Sequence, residues 1–365
     1  MQTFTREQLL AARWHAQQFD GGAASDCDLL DFGIQDTGPD GAPWALAIRG
    51  VTNLDDLAVA WTIRSSPHYY RRSDLAQIAV AVSPYSAGDA AKRILQANKR
   101  FKDAGVDTLD ALTDLAETMR TIVRKPTVKG DMSGALNNQL PDHYLHYCTP
   151  CDATHVYELT FRVAALQAGL ELRAGTSPPV LQRIPGLQPN NFRHLGTEAE
   201  PRFDLIRNYL RFQGPATPKQ VADFLESPVK DVRAQWPADV ENVTVAGEER
   251  SALTDTIDDV ANPPTPTGVR LVGPYDPLLQ ARDRDVLIPD ADCRRAVWSA
   301  LGRPGVVFDA GEPIGTWRPA RSGKKLNVTL ELWARTAKKT RDAISEQAAR
   351  LAEFRGVDAG SVTEK

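Results

Sequence analysis

The order of apolar and polar positions divides the chain into stretches of different rhythm. Near the start, Leu9, Leu10 and Trp14 form a helical stripe, with Thr5 at the cap position and Gln8 at the capping-box position. Next comes "FGIQDTGPDGAPWALAIRG" (32–50), two apolar runs around Gln35, Asp36, Thr37 and a Gly38-Pro39-Asp40-Gly41 turn. "LDDLAVAWTIRSSPHYYRRSDLAQIAVAV" predicts a helix, a short extended piece around Trp61–Arg64, and a second helix opened by Ser73. Residues 87–123 predict two helices, the first carrying Lys92, Arg93, Lys99, Arg100 and Lys102. From Thr127 the pattern restarts with a short helix ended by Pro141. A helix in "THVYELTFRVAALQAGLEL" follows, then a strand past Gly169 and a Pro- and Gly-rich strand and linker over 177–191.

The sharpest local pattern is "RFDLIRNYLRFQGPATPKQVADFLESPVKDVRAQWP". It predicts a helix over 202–212 broken by Gly214-Pro215. Thr217 caps a second helix with Pro218 in its first turn, and a Glu226-Ser227 turn leads to a third helix from Pro228 to Trp236. Three short helices with a sharp turn before the third make a helix-turn-helix unit. "VENVTVAGEERSALT" follows as a β-hairpin wing. The unit serves DNA or, alternatively, packing and dimerisation; its third helix carries two cations, Lys230 and Arg233. Further on, "PGVVFDAGEPIGTWRPARSGKKLNVTLELW" predicts a three-stranded meander after a helix over 292–301. Its second turn, at Ser322-Gly323, carries Arg318, Arg321, Lys324 and Lys325. A final amphipathic helix covers 338–355.

Composition changes this picture little: 42% hydrophobic and 25% charged residues in 365 suit a globular protein of two or three domains. No apolar stretch approaches the ~18 residues of a membrane helix, and the start lacks a signal pattern, so a cytoplasmic location is expected. Charge changes it more. Against a net of −4, residues 239–292 hold 12 acidic and 4 basic residues, and residues 315–355 hold 10 basic and 4 acidic. Local clustering decides polyanion binding, so the C-terminal segment is a candidate phosphate-contacting surface; a solvated helix with ion pairs is the alternative.

Several stretches together resemble one family, the winged-helix DNA glycosylases of the AlkZ/YcaQ type. They are "LLAARWHAQQF", "GIQDT" with "WALAIRG", "WTIRSSPH", "THVYELTFRVAAL", "LIRNYLRFQGPATPKQVADFL", "VRLVGPYDPLLQARDRDVLIPD" and "RPGVVFDAGEPIGTWRP". The resemblance implies an α+β, mainly helical fold of tandem winged-helix domains around a DNA-binding channel. It implies excision of alkylated bases through a Gln-apolar-Gln or Gln-apolar-Asp motif. Here that motif reads Gln35-Asp36-Thr37, so only its first position matches. Arg64 and His68 match an Arg-x-Thr-x-His-like pattern with Ser66 for Thr. They become candidates for contacting phosphate or the flipped base, with buried structural pairing as the alternative.

An extended backbone would put positions 35 and 37 on one face and 36 on the other; a turn would bring Asp36 beside Gln35. Gln35, Asp36 and Thr37 are therefore the catalytic candidates, turn capping being the alternative. The DNA-binding candidates are Arg64, His68, Lys219, Lys230, Arg233, Arg318, Arg321, Lys324 and Lys325. His143, His146, Cys148, Cys151 and His155 cluster in "HYLHYCTPCDATH". Zinc and thiol redox chemistry are weighed there, and the resemblance implies a structural role, so no metal is assigned. Gly-x-Gly-x-x-Gly, P-loop and His-Glu-x-x-His patterns are missing, so no cofactor is expected. The domains divide as 1–125, 126–198 and 199–337, three winged helices, with a C-terminal helix over 338–365. The expected partner of this monomer is double-stranded DNA, with no membrane and no nucleotide cofactor. Three functions stand: a monofunctional glycosylase, a non-catalytic regulator or architectural factor, and an interaction module using its acidic 239–292 region.

Overall fold

The computed structural model describes residues 1–21, 24–39 and 41–365. Gly22, Ala23 and Asp40, the last of them part of the expected 38–41 turn, lie outside the described residues. The architecture is mixed α+β, with sixteen strands in four sheets among the described residues.

The sheet that positions the candidate site has six antiparallel strands. Their order is Ile34–Gln35, Pro67–Arg71, Leu57–Trp61, Leu170–Leu172, Val180–Arg183, Thr127–Val128. It runs straight across the expected boundary at 125/126. The helix expected at 54–60 is instead the strand Leu57–Trp61, hydrogen-bonded on both sides. Ala58 to Trp61 are all buried, and a strand covered on both faces shows an unbroken apolar run that periodicity cannot separate from a short helix. The first basic helix expected after residue 87 is split at Ile94 into Ala87–Arg93 and Leu95–Asp103, and Asp107 caps a third helix, Thr108–Ile122.

The 205–253 region takes the expected local form. Helices Leu205–Gln213, Pro218–Leu225 and Val229–Ala234 precede the hairpin Val240–Val245 and Glu248–Leu253. Thr217 and Gln220 close a capping box, and Glu226 ends the second helix in the left-handed region. An unexpected strand, Gln2–Phe4, pairs in parallel with Val240–Val245. The N-terminus thus joins the third expected block, and the blocks do not have separate cores. The capping box at Thr5 and Gln8 starts helix Arg6–Ala16, whose Trp14 packs on Phe19 and Phe308.

The meander Gly305–Asp309, Glu312–Ser322, Lys325–Leu332 sits in a five-stranded sheet. Its long hairpin closes with Gly323-Lys324, where Gly323 supplies the positive φ (61°) a two-residue loop requires. Helix Lys338–Phe354 buries Ile344, Ala348, Leu351 and Ala352 against this sheet, but it does not close the chain. Strand Asp358–Glu364 follows and pairs in parallel with Lys325–Leu332. That edge strand is mostly exposed and rich in small and polar residues, so only its partner reveals it. No helix among the described residues is long and apolar enough to cross a membrane.

Candidate active site and nucleic-acid interface

Gln35 ends a short edge strand and sits opposite His68 in the ladder. The extended geometry continues one residue further, because Asp36 N donates to Pro67 O at 2.8 Å. Of the two backbone alternatives, the extended one holds, so residues 35 and 37 share a side. Gln35 Nε2 donates to Thr37 Oγ1 (2.9 Å), and Gln35 Oε1 accepts from Arg64 Nη2 (3.0 Å). Both ends of the amide are held, which fixes which end is carbonyl and leaves Oε1 one lone pair for another donor. Asp36 turns to the other side and accepts from Ala42 N (3.2 Å) at the start of helix Gly41–Ala47. Gly41 is required there, since a Cβ would collide with Asp36 Oδ1. Burial pushes the Asp36 carboxyl above the usual range, with the Ala42 hydrogen bond opposing.

Arg64 holds the site together. Its guanidinium donates to Gln35, to Phe224 O (2.8 Å) and to Gln280 Oε1 (3.2 Å). Arg64 and Ser65 both have φ of 54°, in the left-handed region, which costs non-glycine residues about 1–2 kcal/mol each. Such strain persists where the surroundings impose it and concentrates at functional positions. Burial and the nearby Arg282 lower the Arg64 pKa to about 10.

Three further arginines converge here. Arg64 and Arg282 lie over the Phe224 ring, at 4.5 and 6.0 Å from its centroid. Arg284 lies over Trp298 at 4.9 Å and Arg303 over Tyr275 at 5.4 Å. Burial, then Arg282 and Arg303, pull the Arg284 pKa down to about 10. Among the described residues, none of these four arginines has a carboxylate ion pair. Aromatic stacking orients a guanidinium while leaving its N–H donors free for an anion.

A family model described as DNA glycosylase AlkZ-like matches residues 54–354. The chain belongs to the AlkZ-like DNA glycosylase family. The matched segment starts after Gln35, Asp36 and Thr37 but contains all four arginines. Among solved structures, Streptomyces sahachiroi DNA glycosylase AlkZ is similar over 100% of both chains, with a TM-score of 0.74 and 18% identity. None of the curated proteins matches.

The remaining sites expected of this AlkZ-like chain fall in three settings. His68 is enclosed in the sheet, 2% exposed, its Nδ1 beside Thr62 Oγ1 (3.0 Å) and Ser66 O (2.9 Å). It lies opposite Gln35 in the ladder and is hydrogen-bonded within the sheet, as the alternative of buried pairing expects. Lys219 is exposed and paired with Asp223, while Lys230 and Arg233 are exposed on helix Val229–Ala234. Arg318, Arg321, Lys324 and Lys325 are all exposed on the long hairpin, and no acidic residue pairs with them among the described residues. Arg318 donates to Gly302 O, and Arg321 to Gly323 O (3.0 Å).

Gln280, Arg282, Arg284, Arg303 and Phe224 escape sequence reasoning. The local sum of −8 over 239–292 hides Arg282 and Arg284, because it counts the buried Asp276 and Asp283 as if they shared a surface with them. Asp276 is buried against Arg49 (2.7 Å), Asp283 against Arg13 (2.7 Å) and Arg250 (2.5 Å), and Asp239 pairs with Arg207 (2.6 Å). Two of the twelve acidic residues are thus neutralised in the interior and a third is paired at the surface. The alternation "QARDRD" is the one available signal.

His68 also sets a pH dependence. Burial, then the Arg64 charge, lowers its pKa from 6.5 to about 3, so the folded chain keeps it neutral while the unfolded chain protonates it. Stability is unaffected by this group above about pH 6.5 and falls as pH drops from there toward 3. His68→Gln is expected to flatten that slope, read as the difference in urea midpoint between pH 7 and pH 4.5; an unchanged slope would show a protonated His68.

Proposed function

We propose that the protein is a monofunctional glycosylase that removes alkylated bases from double-stranded DNA, with its winged-helix units arranged in tandem around the duplex. The observation that carries this reading is the amide of Gln35, fixed between Thr37 and Arg64, with three further arginines that, like Arg64, have no acidic partner among the described residues. A purine alkylated at N7 or N3 is already cationic, so its base departs without a general acid. What remains is an oxocarbenium-like sugar and a water to meet it. Gln35 Oε1 orients that water, and the Thr37 hydroxyl, which accepts from Gln35, has its own proton to donate. A neutral amide is a poor base, but so electrophilic a centre needs position more than deprotonation. Asp36 caps a helix and supplies no carboxylate here.

Four guanidiniums near a developing sugar cation would oppose it unless anions occupy them. The phosphates flanking an extruded nucleotide supply those anions, and lesions that weaken stacking lower the cost of extrusion. Lys230, Arg233 and the hairpin cations extend the grip along the backbone. Replacing Arg318, Arg321, Lys324 and Lys325 together by Gln is expected to lower the slope of log affinity against log salt by about 0.9 for each phosphate these side chains neutralise. Anisotropy titrations at several salt concentrations measure it, and an unchanged slope would remove the hairpin from the interface.

The deciding experiment incubates the protein with duplexes carrying N7-methylguanine and looks for free base. Thr37, standing where the family motif has Gln or Asp, favours a second reading, a non-catalytic DNA-binding protein. Salt-dependent binding with no base released from any alkylated duplex would establish that second reading instead.

A further inference from the structure

Away from the arginines, residues 145–156 form a two-stranded ribbon of their own. Leu145–Cys148 pairs with Ala153–Val156 across a tight knuckle, Thr149–Cys151, and the pair forms a separate sheet. Such a hairpin is marginal by itself, and little apolar surface covers its tip. Asp152 turns the chain through the left-handed region (φ 48°), which brings Cys151 back under Cys148. The side-chain ligand atoms of Cys148, Cys151 and His155 all lie within 4.8 Å of one another. Both cysteines are free thiols.

The histidine is prepared in a specific way. His155 Nδ1 lies 2.7 Å from the carbonyl of Val156, and a carbonyl only accepts, so Nδ1 carries the proton. That leaves Nε2 unprotonated, the tautomer that metal-ligating histidines hold by this type of backbone bond. His146 is paired with His155 in the ribbon register, and Cys148, two residues on, shares its face. The His146 and His155 ring centroids are 4.8 Å apart. Two imidazoles on one zinc at about 2.0–2.1 Å stand with centroids roughly 5 Å apart.

We propose that Cys148, Cys151 and His155 bind one zinc ion, with His146 turning from its stack on Tyr157 to complete the tetrahedron. The donor set selects the metal. Two soft thiolates and borderline imidazole nitrogens suit zinc and disfavour magnesium or calcium. Binding takes the proton from each thiol into solvent, so the two thiolates balance the ion and no carboxylate is needed. The ion staples the tip of a ribbon that leads directly into helix Glu158–Gln167, whose Arg162 donates to Ser65 O beside Arg64 (3.2 Å). The role is structural, and it stands whether or not the chain excises bases. It adds a metal where sequence spacing alone assigned none.

The test uses the full-length reduced protein, metal-stripped and then equilibrated with zinc or cobalt. Elemental analysis is expected to return about one zinc per chain, and cobalt to give thiolate charge-transfer bands with intense tetrahedral d–d absorption. Cys148→Ser with Cys151→Ser, and separately His155→Ala, are expected to lose the ion while circular dichroism shows the rest folded. His146→Ala is expected to weaken zinc at least tenfold in a chelator competition, and equal affinity would overturn the fourth-ligand assignment. Reduced wild-type protein that takes up neither metal, or full metal content in the double serine variant, overturns the site.

Discussion

Gln35→Ala is expected to lower release of an alkylated base by at least about 100-fold, the loss typical of removing one preorganised polar group from a reacting centre. Duplex affinity should change little, because Gln35 is 8% exposed and of the proposed phosphate-binding cations it touches Arg64, which keeps its bonds to Phe224 O and Gln280. The defect therefore belongs in the single-turnover rate and not in the binding constant. Asp36→Asn is the companion variant. It keeps the Oδ1 acceptor that Ala42 N uses while removing the carboxylate, whose ionisation burial already disfavours. Most activity should remain. If Asp36→Asn were dead and Gln35→Ala active, the nucleophilic water would be served by a carboxylate, and the roles of positions 35 and 36 would exchange.

That division of labour between neighbours was half legible in the sequence. The motif position was visible, and so was the rule that an extended backbone separates 36 from 35 and 37. What decides between extension and a turn is the ladder to residues 67–69, more than thirty residues away, and no local signal carries it. Capping chemistry, by contrast, is local. The Thr5–Gln8 box, the Thr217 cap, the Glu226 turn and the Gly323 hairpin loop were all readable because each is fixed by two to four adjacent residues. Strands whose partners are distant were missed, Gln2–Phe4 and Asp358–Glu364, whereas Leu57–Trp61 has a neighbouring partner and was misread because its buried apolar run fits a helix equally well.

The arginine cluster was illegible for a related reason. Summing charge over 239–292 treats Asp276, Asp283, Arg282 and Arg284 as equals on one surface. In the fold, the two aspartates are buried and the two arginines face Phe224 and Trp298. Asp283 is buried while its neighbours Arg282 and Arg284 are not, so the summed charge carries no information about either environment. Cations on an exposed hairpin are different. Arg318, Arg321, Lys324 and Lys325 could be read as a basic tip because no inward-facing position competes for them there.

Asp283→Ala is expected to destabilise the protein by about 3–5 kcal/mol, the usual cost of leaving a buried charge without its partner. Here Arg13, which bonds both carboxylate oxygens (3.0 and 2.7 Å), would be orphaned, and Arg250, which bonds one (2.5 Å), would keep its pair with Glu248 (2.9 Å). The three come from the N-terminal helix, the Glu248–Leu253 strand and the 281–284 segment, so the substitution loosens the seam between them. Urea titration followed by fluorescence measures it. Burial alone would raise the Asp283 pKa, but Arg13 and Arg250 outweigh it and hold the carboxyl below its ordinary value. Its stabilisation is therefore fully present above the unfolded pKa of about 3.9 and disappears as pH falls through the lower folded value. The gap between wild type and variant should narrow in acid. The adjoining Arg282 and Arg284 lose their anchor in the same variant, so salt dependence of duplex binding should weaken even under conditions where it remains folded. A folded Asp283→Ala protein with unchanged stability and an unchanged salt slope would mean that the buried ion triad neither holds the seam nor aims the arginines beside it.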